Sequence, residues 1–247
     1  MRFYAAQPLF EPRPLSALQA LINKWLPAWS LTLSVHDHED QEAGIAVGRD
    51  NSLFLAIDAS LRRNARPYRL LRGSYEKLNM FLNSYGCAAP PELNKLALEI
   101  YQAESMEGQS PVEWSRNFFE QLNLHLPVRY AHTYFDEEFD AKNIVRDDGV
   151  RAVGVKLTKS LPGLYWLNYF GAPYVDLIGK DRLLSAPAHE TKEVGTGVLL
   201  SLAESGDSWD SPAYVEREQR TIEHIGRQYF FSRKGPDEEK IAPDFSG

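Results

Sequence analysis

The chain has 247 residues, of which 43% are hydrophobic and 25% charged, as in a globular protein of one large or two small domains. Its formal net charge of -7 argues against binding to nucleic acids or anionic membranes, which both require a basic surface. The single cysteine, Cys87, excludes an internal disulfide and zinc sites built from several cysteines.

The N-terminus and the overall hydropathy bear on the compartment. Residues 1–10 lack the long apolar stretch of a secretory signal. The sequence contains no stretch of about 18 apolar residues, so we expect no membrane span. We therefore expect a cytoplasmic protein, and we expect neither a cofactor nor a bound metal.

The first elements are a helix and a strand. Leu18, Ile22 and Trp25 recur at helical spacing after Pro14, which fits the first helical turn. Apolar residues then alternate with polar ones over 31–35, which predicts a half-buried strand.

Two further helices are expected before residue 110. Ser74 is an N-cap candidate for a helix whose apolar residues recur at helical spacing up to Gly86. The pair Pro90-Pro91 is expected to open a second helix that continues to Tyr101.

The second half begins with a strong helix signal. Ser110-Pro111-Val112-Glu113 is a capping box with proline at the first helical position. Residues 128–135 then predict a strand, and the aromatic run 163–170 predicts another. A helix is expected at Pro173, a strand over 195–202, and a last helix is expected to begin at Ser211-Pro212.

These elements indicate an α+β fold with a largely antiparallel sheet and helices packed against it. The predicted helices cluster between two groups of strands, so the steady alternation of a doubly wound parallel sheet is missing. We expect a single domain over residues 1–247, with a possible subdomain split near Gln109.

Two acidic segments are candidates for binding a partner protein. Residues 136–140 place four carboxylates around one phenylalanine, and residues 36–42 form a polar, mostly acidic connector. Such charges steer the encounter with a basic surface, and an aromatic ring anchors it. The alternatives are solvated turns, or pairing with the arginines of residues 62–72. The candidate partner-binding residues are Asp37, Glu39, Asp40, Glu42, Asp136, Glu137, Glu138, Phe139 and Asp140.

The connector also contains His36 and His38, which suggests a different function. Two histidines on the same side of a strand, with neighbouring carboxylates, have the chemistry of a transition-metal site. A metal-dependent hydrolase is therefore an alternative. However, no HExxH or comparable motif supplies further ligands, so a solvated loop is the preferred interpretation.

A resemblance to a known family appears in the C-terminal third. The segments Gly163-Leu-Tyr-Trp-Leu-Asn-Tyr-Phe-Gly171, Pro173-Tyr-Val175, Ile178-Gly179 and Gly197-Val-Leu-Leu-Ser-Leu202 resemble bacterial immunity proteins of type VI secretion and polymorphic toxin systems. The resemblance implies a non-enzymatic inhibitor that binds a cognate effector. It also implies an association with nuclease toxins of the restriction-endonuclease type.

The function expected from the sequence is neutralisation of a cognate secreted toxin, a nuclease, by stoichiometric protein–protein binding. The acidic balance of the chain suits a basic partner of that kind. A structural component of a secretion apparatus or phage-like particle is a further alternative. The sequence leaves the oligomeric state open.

Overall fold

The structure is a computed structural model, and it describes residues 1–5, 12–25, 30–35, 45–48, 69–75, 78–84, 95–100, 108–146, 150–152, 156–236 and 238–245. The chain divides into two compact units. Unit 1 comprises Met1–Ala89 and Leu93–Val128, and unit 2 comprises Pro90–Glu92 and Arg129–Gly247. The single domain with a possible split near Gln109 stays a prediction.

Unit 1 combines a sheet with two long helices. Its described elements are β1 (Arg2–Ala5), α1 (Pro12–Trp25), β2 (Ser30–Val35), β3 (Ile45–Gly48), β4 (Arg69–Tyr75), β5 (Leu78–Ser84), β6 (Lys95–Ile100) and α2 (Pro111–His125). The strands lie in the order β1-β6-β5-β4-β2-β3, and these neighbours pair antiparallel. The predicted helix after Pro14 and the predicted strand 31–35 are thereby confirmed.

The two helices expected between Ser74 and Tyr101 are wrong. Strands β4 and β5 form a hairpin in which Tyr75 pairs with Leu78, and β5 in turn pairs with β6. The sequence of β6 also alternates: Leu96 and Leu98 are buried, whereas Glu99 is exposed. Pairing with neighbouring strands outweighs the weak helical preference of such short segments.

Helix α2 forms as its sequence predicts. The backbone N–H of Glu113 donates to Ser110 Oγ at 3.2 Å, and the N–H of Ser110 donates back to Glu113 Oε2 at 3.2 Å. This reciprocal capping box satisfies two backbone donors that a helix N-terminus leaves unpaired. The apolar face of α2 is fully buried in the core of unit 1, through Trp114, Phe118 and Leu122.

Unit 2 carries a smaller sheet and four helices within the described residues. Its elements are β7 (Val128–Thr133, entering unit 2 at Arg129), α3 (Asp136–Asn143), β8 (Ile144–Arg146), β9 (Val150–Ala152), β10 (Leu167–Phe170), α4 (Ala172–Ile178), α5 (Lys180–Leu184), β11 (Glu190–Val194), β12 (Gly197–Ser201) and α6 (Pro212–Ile225). A short 3-10 helix, Arg227–Tyr229, follows α6.

The sheet of unit 2 has the order β11-β12-β10-β7, with antiparallel pairing throughout, and β8 and β9 form a separate antiparallel hairpin. The aromatic strand expected over 163–170 forms only over Leu167–Phe170, as β10, which lies between β12 and β7 with all four of its residues buried. Gly197 makes this packing possible, because a Cβ there would lie 2.4 Å from the carbonyl oxygen of Phe170 and 2.5 Å from the ring of Tyr169.

The predicted fold class is confirmed: both units combine helices with antiparallel sheet. The expected helix starts at Pro173 and at Ser211-Pro212 are also confirmed, as α4 and α6. Among the described residues, no helix is both long enough and apolar enough to cross a membrane.

Candidate functional site

The acidic segment 136–140 is the first half of helix α3. Three of its carboxylates, those of Asp136, Glu137 and Asp140, are exposed. Negative charges in the first turn also stabilise a helix, because they face the positive end of its dipole. The acidic run therefore has a local structural role in addition to the surface that it creates.

An exposed aromatic ring lies at the start of this helix. Phe135 is the N-cap residue of α3, and its side chain is 40% exposed. Its ring covers Gly206, where a Cβ would lie only 2.8 Å from Phe135 Cε2. The loop that carries Gly206 is anchored by a hydrogen bond of 3.1 Å from Trp166 Nε1 to the carbonyl oxygen of Ala203. The ring therefore rests on a fixed support.

We call Phe135, Asp136, Glu137, Asp140 and Asp207 the Phe135 surface. Asp207 follows Gly206 directly, is exposed, and accepts a hydrogen bond of 2.6 Å from Ser205 Oγ. The Phe135 surface thus combines exposed carboxylates on two segments, α3 and the loop of Gly206, with the partly exposed ring of Phe135 that contacts this loop. This is the type of arrangement that binds a basic protein surface.

Glu138 does not belong to this surface, which corrects the expectation that all four carboxylates of residues 136–140 face a partner. Its side chain is fully buried. An α-helix completes one turn every 3.6 residues, so an acidic run of five residues on a packed helix places at least one side chain on the inner face. Tyr214 of α6 donates a hydrogen bond of 3.1 Å to Glu138 Oε1.

Lys142, one helical turn after Glu138, is the centre of a buried polar cluster. Its Nζ lies 2.7 Å from Glu138 Oε1 and 2.9 Å from Glu218 Oε1 on α6. The same ammonium donates to the carbonyl oxygen of Leu164 at 2.6 Å and lies 4.9 Å from the ring centre of Tyr165. These contacts attach α3 to α6 and to the segment before β10.

Burial controls the electrostatics of the cluster. Desolvation raises the pKa of Glu138 and of Glu218 above the ordinary range of a glutamic acid, and the attraction of Lys142 opposes this shift in both. Desolvation, followed by the nearby carboxylates, also raises the pKa of Tyr214. The raised pKa keeps the hydroxyl of Tyr214 protonated, so that it donates the hydrogen bond to Glu138.

Phe139, the predicted aromatic anchor, is half-buried. Its ring lies 4.9 Å from that of Tyr134 and is stacked 6.3 Å from that of Tyr165. These contacts hold Phe139 on the core side of α3. The more exposed ring is that of Phe135, which precedes the acidic run and was not predicted as a partner-binding residue.

The other predicted acidic segment lies outside the described residues, as do His36 and His38. Partner binding by Asp37, Glu39, Asp40 and Glu42 therefore stays a prediction, and so does the alternative metal site. Within the part of the chain that the structure describes, no three histidine, cysteine, aspartate or glutamate side chains are grouped so as to hold a metal ion.

A serine–histidine contact occurs on the surface of unit 2. Ser185 Oγ lies 3.2 Å from His224 Nε2, but that nitrogen also lies 3.0 Å from the carbonyl oxygen of Arg182. A carbonyl oxygen accepts only, so Nε2 carries a proton and is not the base that would activate the serine. Ser185 donates instead to the carbonyl oxygen of Asp181 at 2.7 Å.

Sequence reasoning missed Lys142, Tyr214 and Glu218. A signal existed for two pairs: Glu138 and Lys142, and Tyr214 and Glu218, are each spaced four residues apart on one helix face. Nothing local indicates that the two faces meet. That contact joins residues 76 positions apart, as the Tyr214–Glu138 hydrogen bond shows.

Comparison with known proteins identifies a solved structure of similar fold. No protein-family model matches the chain, and no curated protein matches it in sequence. The fold is similar to that of the Pseudomonas aeruginosa T6SS protein PA0821, with a TM-score of 0.53 and 11% sequence identity. The similarity covers 99% of this chain and 78% of that one. At such low identity it shows a shared fold and nothing more specific.

Proposed function

We propose that this protein is an immunity protein that neutralises a cognate secreted toxin by stoichiometric binding. The observation that carries the proposal is the structural likeness to a T6SS protein over 99% of the chain. It agrees with the resemblance of the C-terminal segments to immunity proteins of type VI secretion systems. The inhibitor acts by covering a surface of the toxin, and its own side chains perform no chemical step.

The charge of the molecule supports a basic partner, and we propose a nuclease. A nuclease must present cationic groups to the phosphate backbone, and the same groups attract a protein with a net charge of -7. The Phe135 surface carries three exposed carboxylates of α3, the exposed carboxylate of Asp207 and the ring of Phe135, which packs on Gly206. The carboxylates steer the encounter, and Phe135 fills a pocket of the partner.

The test is binding between the full-length protein and the product of the adjacent effector gene. We expect a one-to-one complex by calorimetry and loss of the effector's nuclease activity at equimolar inhibitor. An interface of about 1,600 Å² suffices for such a complex. Lack of binding at micromolar concentration, with both proteins folded, would contradict the proposal.

A matched pair of charge reversals tests the Phe135 surface itself. Glu137→Lys should slow association about tenfold or more at low salt and reduce its salt dependence, since it removes a steering charge. Asp176→Lys, on an exposed position of α4, changes the net charge equally and should have a much smaller effect. Equal association rates for the two variants, measured by stopped-flow, would remove the Phe135 surface from the proposal.

The same structural likeness supports a second candidate, a structural component of a secretion apparatus. Such a component must assemble, so it should form a defined homo-oligomer. Light scattering separates the two candidates, because an inhibitor that acts alone remains monomeric without its toxin and a structural component does not.

A further inference from the structure

The buried cluster around Lys142 contains more acidic than basic groups. Glu138 and Glu218 both contact the one ammonium of Lys142. If both glutamates were ionised, the cluster would hold one uncompensated negative charge. An uncompensated charge away from water is far more costly than a neutral carboxyl group.

The hydrogen bonds of the two glutamates are unequal. Oε1 of Glu138 accepts hydrogen bonds from Lys142 and Tyr214. Its Oε2 is buried and has no hydrogen-bond partner among the described residues. Glu218 accepts from the backbone N–H of Leu164 as well as from Lys142, and its side chain is 13% exposed. The surroundings therefore favour the charged form of Glu218 over that of Glu138.

We propose that Glu138 and Glu218 hold one proton between them in the folded protein, mainly on Glu138, so that rising pH weakens the attachment of α3 to α6. The raised pKa of each glutamate, caused first by burial, agrees with this. The inference concerns the folding of unit 2 and does not depend on the proposed inhibitory function.

The other groups around the cluster set its charge balance. Tyr214 on α6 and Tyr165 before β10 are phenols that lie against Lys142, with ring centres 5.5 and 4.9 Å from Nζ. His132 of β7 meets the ring of Tyr165 at 4.6 Å. Two arginines near these elements are directed at backbone oxygens: Arg217 donates to Leu202 and Arg233 donates to Ala141.

The sign of the pH effect follows from the raised pKa. Unfolded glutamates lose their protons near pH 4.3, roughly their ordinary pKa, whereas the folded pair keeps one proton to higher pH. The stabilisation is fully present below the unfolded pKa and is lost as the pH rises to the folded pKa. Over this window the unfolding equilibrium constant increases by about tenfold per pH unit, and above it the dependence ends.

The first experiment observes the proton directly. The full-length protein, labelled with ¹³C at the glutamate carboxyl groups, should show the infrared band of a protonated carboxyl group at neutral pH. Glu138→Gln and Glu218→Gln should each abolish the band, because the remaining carboxylate then pairs one-to-one with Lys142. Absence of the band from the wild-type protein overturns the proposal, as does a band that survives both substitutions.

Tyr214→Phe guards against failure of the glutamine variants to fold. It keeps both carboxyl groups but removes the hydroxyl that contacts Glu138 Oε1. The band of a proton held on Glu138 must then shift in frequency, since the hydrogen bond to that carboxyl group is lost. An unshifted band would assign the proton elsewhere and overturn the proposal.

The second experiment measures the consequence for stability. Urea unfolding of the wild type and of Glu138→Gln is compared from mildly acidic to mildly alkaline pH. The unfolding constant of the wild type divided by that of Glu138→Gln should rise with pH by up to tenfold per pH unit. The control is Glu216→Gln, an exposed substitution on α6, which should leave the pH profile of the wild type unaltered. A ratio independent of pH would rule out the shared proton.

Discussion

The cores of the two units are built from aromatic residues in contrasting ways. In unit 1, the ring of Trp114 is 6.4 Å from that of Trp25 and 4.7 Å from that of Phe118, and apolar side chains fill the core between α1 and α2. In unit 2, the buried rings belong largely to tyrosines, and Tyr165 and Tyr214 enclose the charged Lys142 cluster.

Each core is therefore sensitive to a different kind of substitution. An apolar core depends on the area removed from water and on filled volume, so its losses scale with the atoms deleted. A buried polar cluster depends on its charge balance, because removal of the one cation leaves carboxyl groups buried without a counter-charge. Small changes of side-chain chemistry should therefore harm unit 2 more than unit 1.

The largest effect is expected for Lys142→Met. The substitution roughly keeps the length of the side chain but leaves Glu138 and Glu218 without their shared cation. We expect a loss of about 3–5 kcal/mol at neutral pH, as for other broken buried ion pairs. Lys180→Met is the control, since its pair with Glu193 is about half exposed and should contribute less than about 1 kcal/mol. Similar urea midpoints for the two variants would contradict the contrast.

A smaller effect is expected when a single polar group is removed from each core. Tyr214→Phe deletes the donor to Glu138 and should cost about 1–3 kcal/mol. Trp114→Phe removes a buried indole N–H that has no hydrogen-bond partner among the described residues. Removal of this unsatisfied donor is favourable, and it offsets part of the stability that is lost with the packing of the larger ring. In thermal unfolding, the loss of stability per atom removed should be larger for Tyr214→Phe than for Trp114→Phe. The reverse order would contradict the contrast between the two cores.

The smallest effects concern the helix caps, where the two units differ by one side chain. Ser110 in unit 1 shares a reciprocal capping box with Glu113, whereas Ser211 in unit 2 only accepts from the N–H of Tyr214 at 3.3 Å. Replacement of either serine by alanine should cost about 1 kcal/mol. We expect the larger loss for Ser110→Ala, because Glu113 also loses its partner, and denaturant midpoints measure the difference.

The candidate site was only partly predictable from sequence. The acidic run 136–140 is visible in the sequence, and its helical phase follows once α3 is known. That phase directs Glu138 inward and leaves Asp136, Glu137 and Asp140 outside. Phe135 and Gly206 are in contact although they lie 71 positions apart in the sequence (206 minus 135). No local sequence pattern predicts such a contact.

Features whose cause lies within a few residues could be predicted from the amino-acid sequence. The capping box of α2, the helix starts at Pro173 and Pro212 and the aromatic strand β10 each depend on neighbouring side chains. Contacts between distant segments were needed to form strands Arg69–Tyr75 and Leu78–Ser84 and to bring Glu138, Lys142 and Glu218 together. The physical reason is that local preferences amount to fractions of a kcal/mol per residue, roughly, whereas strand pairing and burial act between distant segments.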